Sequence, residues 1–246
     1  MAITYRTIST VATKTTTTGG TLTLNAPAGA TTDDLLVACI SFRGVAIPSI
    51  PPGWNIINRT EVTGNTNTNQ NSIGSGLMAW TKVSGAVDYD FGAVNSILGE
   101  RFPNLALGFV VRIDGQDLTD PVAGTSVNTL ATGASGNVTT GGYTRSFTTD
   151  TPDDYIEIML CMGGQEVTWS SQDYTTGPTA MTEIGESTST SGADGSIAVA
   201  RTNVLGDPTG GFDATTSGIS ARHSLMVASF GGPKAPAAGY SFSTFF

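Results

Sequence analysis

The sequence predicts an all-β protein, an antiparallel β-sandwich or jelly roll built from two sequence-related halves. Three observations point there. Threonine supplies 39 of the 246 residues, and a β-branched side chain at that frequency suits half-buried strands better than helices. Charged residues make up 13%, half of the ~25% of an ordinary globular domain, while the 39% hydrophobic share allows a real core. No stretch of helical length keeps a helical apolar period, because 31 glycines and 11 prolines interrupt the chain.

Short apolar or alternating runs bounded by Gly, Pro, Asn and Asp mark the strands in order. The first half gives Ile3–Ser9, Thr21–Asn25, Leu35–Phe42, Asn55–Val62, Gly76–Val83, Tyr89–Ala93 and Leu105–Ile113. The second gives Thr125–Leu130, Tyr143–Thr149, Tyr155–Met162, Glu166–Ser170, Met181–Ser187, Ser196–Val204, Gly211–Ala214 and Arg222–Phe230. The runs starting at Leu35, Leu105, Tyr155 and Leu225 are almost continuously apolar, so they belong in the middle of packed sheets. Two facing antiparallel sheets bury such strands best. Between the strands, Thr13–Gly20, Gly64–Gly76 and Thr188–Gly195 are polar and nearly uncharged loops.

The halves are related by a faint repeat. Asp33–Ile40 aligns with Asp153–Leu160 at an offset of 120, and Leu77–Trp80 with Ile197–Ala200 at the same offset. Asp90–Ala93 falls near Phe212–Thr215, and Leu105–Val111 answers His223–Ser229. Trp54 and Trp169 each follow the first apolar strand of a half. The expected organisation is a repeat over residues 1–118, a second over 119–233, the two separate or forming one composite unit, and a C-terminal arm over 234–246.

Charge and cysteine content narrow the function classes. A net charge of −9 repels phosphate backbones and anionic bilayers, so neither nucleic acid nor membrane is an expected partner. Cys39 and Cys161, each among apolar neighbours, have no metal or redox spacing and read as buried free thiols. Met1–Thr10 holds no signal-like apolar stretch, and the run Leu35–Ile40 is far too short to span a bilayer. The alternation of Tyr240, Phe242, Thr244 and Phe246 is how outer-membrane barrels often end, but the other strands lack the sustained alternation of such barrels.

Catalytic constellations are sparse. The single histidine, His223, opens an apolar strand with no Gly-x-Ser-x-Gly elbow or cysteine pairing beside it, and reads as a strand-edge residue. Zinc chemistry lacks ligands. Asp114, Asp117 and Asp120 are the candidate calcium ligands, yet a spacing of three departs from an EF-hand loop and turn formation explains them more simply. Glu157 alternates with Tyr155 and Met159 and reads as a solvent-facing residue of its strand. Trp54, Trp80 and Trp169 read as core anchors before they read as a sugar-stacking platform. No cofactor and no enzymatic activity are expected.

One pattern is familiar. Ala26-Pro27-Ala28-Gly29 leading to Asp33-Asp34-Leu35-Leu36-Val37-Ala38, then Pro51-Pro52-Gly53-Trp54, Trp80-Thr81-Lys82-Val83, Arg112-Ile113-Asp114-Gly115 and Thr119-Asp120-Pro121-Val122, resembles the β-rich virion proteins of tailed bacteriophages and prophages. The resemblance covers residues 20–122; in the second half it covers only Asp153–Met162, Trp169 and the final strand, where Pro-Gly-Trp is missing. It implies a non-enzymatic virion protein, assembled in the host cytoplasm, that decorates or cements the capsid or sits on the tail. Its expected partners are major capsid or tail proteins and further copies of itself. Tyr240, Phe242, Phe245 and Phe246 of the apolar arm are the expected partner-binding residues. A carbohydrate-binding module at a tail tip or fibre, contacting host glycan, is the alternative, and a cryptic glycosidase a distant third.

Overall fold

The computed structural model describes residues 3–14, 21–43, 49–60, 74–92, 105–116, 121–130, 137–140, 154–163, 167–174, 181–189, 195–205, 212–216 and 223–232. These form sixteen strands and no helix. The first half contains β1 (Thr4–Ile8), β2 (Ala12–Lys14), β3 (Leu22–Asn25), β4 (Leu35–Arg43), β5 (Asn55–Thr60), β6 (Gly74–Lys82), β7 (Asp88–Phe91) and β8 (Ala106–Asp114). The second contains β9 (Val122–Leu130), β10 (Asn137–Thr140), β11 (Asp154–Gly163), β12 (Trp169–Tyr174), β13 (Thr182–Ser189), β14 (Gly195–Leu205), β15 (Phe212–Thr216) and β16 (His223–Gly231). All pairings are antiparallel.

Two large sheets form the middle of the molecule. One runs β1-β8-β4-β6-β5, with β2 also pairing β8; the other runs β9-β16-β11-β14-β13. They face each other across one apolar cluster drawn from both halves. Leu35, Val37, Cys39, Phe109 and Val111 meet Ile156, Ile158, Leu160, Val199 and Met226 there. Each large sheet is then covered on its other face by a small one. Leu22 and Leu24 of β3, with Tyr89 and Phe91 of β7, cover Leu36, Ala38 and Ile40. The sheet β10-β15-β12 brings Trp169 and Ala214 over Tyr155, Met159 and Cys161. This layering explains why antiparallel strands read as unbroken apolar runs: β4 and β11 are buried on both faces, a condition usual for parallel sheets.

Most expected strands lie where the sequence puts them. β2 was not foreseen. The strand expected at Tyr143–Thr149 lies outside the described residues, and β10, which precedes it, is not among the expected strands. The β12 strand begins and ends later than the expected Glu166–Ser170.

The expected offset of 120 does not keep the faces of the strands. At an offset of 120 Leu35 corresponds to Tyr155, but Leu35 faces the central core and Tyr155 the outer layer. Leu77 and Ile197 disagree in the same way, as do Leu107 and Leu225. A slip by one residue turns every side chain of a strand to the other face. Matching Leu35 to Ile156, Lys82 to Asn203 and Ile113 to Phe230 restores the faces and reproduces the cross-strand partners in both sheets.

Candidate functional site

The residues that carry the family-like pattern converge at one end of the first large sheet. Arg112, on β8, donates from Nε to Asp34 Oδ2 at 2.9 Å and from a terminal nitrogen to the Ala28 carbonyl at 3.2 Å. The same Asp34 oxygen accepts from the Thr31 hydroxyl at 2.9 Å. Gly29 holds a φ of +74°, and a Cβ there would lie 3.1 Å from the Arg112 guanidinium. Glycine suits the left-handed turn, and a Cβ there would crowd the arginine. Gln116 donates to the Asp33 carbonyl at 3.1 Å and ties the end of β8 to the same turn.

The Pro51-Pro52-Gly53-Trp54 segment closes a second turn. The Trp54 amide donates to the Pro51 carbonyl at 3.2 Å, Gly53 has a φ of +84°, and the Thr81 hydroxyl donates to the Gly53 carbonyl at 2.8 Å. This sets the Trp54 ring edge-on to Tyr89 and Phe91, with centroids 5.1 Å away in each case. Trp169 is buried against His223, edge-on at 5.4 Å, and its indole N–H donates to Ser196 Oγ at 3.1 Å. Trp80 is half-buried and packs against the central cluster. Buried in this way, neither Trp54 nor Trp169 offers the bare face that a sugar-stacking platform needs.

The acidic candidates separate in space. Asp114, at the end of β8, forms a salt bridge with Arg6 of β1. Asp117, Asp120, Tyr240, Phe242, Phe245 and Phe246 lie outside the described residues. Among the described residues no three His, Cys, Asp or Glu side chains gather as a metal site.

Glu157 is the clearest correction. Read from the sequence as solvent-facing, it is 0% exposed, because the face it shares with Tyr155 and Met159 is roofed by the small outer sheet. Ser229 of β16, directly across the ladder, donates its hydroxyl to Glu157 Oε1 at 2.8 Å. Thr202 stands opposite on the other side, on β14.

His223 begins β16 as expected, but it is buried rather than open at the strand edge. Its Nδ1 has no hydrogen-bond partner among the described residues, and burial pushes its pKa down. On the ladder it stands in one row with Gly163 and Ser196, and Trp169 touches both outer members of that row. Lys14 ends β2 with a buried Nζ, also without a hydrogen-bond partner among the described residues, and burial lowers its pKa.

Cys39 and Cys161 are free and fully buried. Burial raises both thiol pKa values, and for Cys161 the carboxylates of Glu183 and Glu186 add to the rise. Thiols held neutral in this way are poor nucleophiles and poor metal ligands.

What the arrangement does chemically is hold turns and layers together. The sequence left unnoticed the Asp34–Arg112 pair, the Tyr5–Arg201 contact, with the guanidinium 4.8 Å from the ring centroid, and the Ser41 hydroxyl that donates to the Ser196 carbonyl at 2.9 Å across the two large sheets. An arginine inside an otherwise apolar strand was the one signal available for the first. The chain matches no protein-family model, no curated protein and no solved structure.

Proposed function

We propose that this chain is a non-enzymatic structural protein of a tailed-phage virion, most consistent with a capsid decoration or cement protein that binds major capsid or tail proteins and further copies of itself. The observation that carries the reading is the use of the family-like residues. Asp34, Arg112, Gly29, Gly53 and Trp54 all serve turns and core packing, as in a protein whose surface, not a catalytic cleft, does the work. The outward face of β3 and β7 is polar, with Thr23 donating to Asp90 at 2.6 Å and Asn25 to Asp88 at 2.8 Å. The particle-bound location and assembly in the host cytoplasm follow from the same reading.

The finer fold belongs to this reading too. Counting strands in chain order within the second half, the large sheet runs 1-8-3-6-5 and the small one 2-7-4. A jelly roll places strands 1-8-3-6 in one sheet and 2-7-4-5 in the other, so only the fifth strand departs from that path. With the short β2, which pairs β8 off that path, left out of the count, the first half follows the same path without a fourth strand among its described residues. We take each half as a jelly-roll unit.

Copy number tests the function directly. Quantitative gels of purified particles should give hundreds of copies per particle for a decoration protein; a handful would reject that assignment. Removing residues 234–246 should weaken attachment to the particle while leaving the melting transition of the free protein in place. A tail-tip glycan module gains no support from Trp54 and Trp169, which are buried.

A further inference from the structure

The two large sheets meet through equivalent surfaces. Each presents the same face of the same strand order, β1-β8-β4-β6-β5 against β9-β16-β11-β14-β13. The contacts at the two sides are reciprocal. The edge strand β5 lies against β9, where Asn58 donates to the Thr125 hydroxyl at 3.4 Å. Its counterpart β13 lies against β8 and β1, the counterparts of β16 and β9: a Cβ on Gly185 would sit 3.1 Å from Ile8 and 3.2 Å from Phe109. Close approach is built in from both directions. A Cβ on Gly76 would fall 1.7 Å from the sulfur of Met162, and one on Gly195 2.5 Å from Leu105. Such reciprocity marks a two-fold, isologous interface of the kind that joins identical subunits.

We propose that the inner face of each large sheet is a docking surface for a second copy of the same unit, so that the chain is a covalently joined dimer whose halves can exchange between chains. This does not depend on the virion reading. The linker makes the exchange testable. Gln116 is held by the Asp33 carbonyl, and the Pro121 carbonyl by the Gly231 amide. Between them the chain must pass from the β8 column to β9, which lies against β5, three strands away in the facing sheet. That is roughly 14 Å sideways and about 10 Å between sheets. Five Cα steps reach at most about 18 Å.

Deleting residues 117–120 from the full chain leaves too little reach for the halves to close on each other. The expected product is a soluble two-chain species of twice the mass of the shortened chain, with a native β-sheet spectrum; a folded monomer overturns the proposal. In a second experiment, a protease site substituted into positions 117–120 is cut after folding. The fragments should remain one complex, with an unfolding midpoint that rises with protein concentration. Unfolding and refolding a mixture of tagged and untagged cut protein should give mixed pairs. Fragments that part as two folded species overturn the proposal, whether or not the deletion chain folds.

Discussion

Asp34 is almost fully buried and Arg112 partly so, and together they fix the turn that starts β4. Removing one member of such a pair strands a buried charge, at a cost of about 3–5 kcal/mol. Arg112→Met should therefore lower stability by that order in denaturant titrations. The double variant Asp34→Asn/Arg112→Met should lose less than the sum of the single changes. His223 gives a pH signature. Its folded pKa lies below the unfolded value of about 6.5, so the unfolded state binds the proton more readily. The stabilising contribution is complete above about pH 6.5 and is lost as pH falls through and below that value. Melting temperature measured from pH 8 to pH 5 should drop less steeply for His223→Gln than for the native chain, and equal slopes would refute the assignment. Cys39 and Cys161 should resist a thiol reagent in the native protein and react together on unfolding.

At the scale of elements, two strand starts are specified by small residues that leave room for the opposing sheet. Gly76 on β6 faces Met162 on β11, across the boundary between the halves. Gly76→Val should cost about 1–3 kcal/mol by overpacking. Combined with Met162→Ala it should show positive coupling, since the second change removes the atoms that the first one strikes. No coupling would mean that the sheets do not interdigitate there. Element prediction from sequence succeeded where period and punctuation are local, as in Leu35–Arg43 and His223–Gly231. It failed at β2, whose three residues sit in a threonine tract with no apolar alternation and are fixed by pairing with Ala106–Gly108. It also missed β10, fixed by its partner β15.

For the whole molecule, the central cluster belongs to neither half alone. Leu35 and Phe109 would face water if the second half were removed, and so would Ile158 and Met226 without the first. The chain should consequently unfold in one transition, with near-ultraviolet circular dichroism and backbone probes changing together; two separated transitions would show that each half's outer cluster keeps it folded without the shared one. The charge is unequally shared over the same division. Residues 1–118 carry 8 acids and 7 bases, and 119–246 carry 12 acids and 4 bases, so nearly the whole net charge of −9 sits on the second half.

By itself the sequence determined the all-β class, nearly every strand and the buried free cysteines, because each is set by neighbours within a few positions. The family-like residues were legible as a pattern, but their roles were not, since Arg112 and Asp34 lie 78 positions apart and meet only when β8 pairs with β4. Tertiary structure alone decided which face of each strand looks inward, that residues 120 apart face different layers, and the burial of Glu157. The physical reason is the same for all three. A two-residue period says that a strand has two faces, and only the layer packed on each face says whether that face meets water.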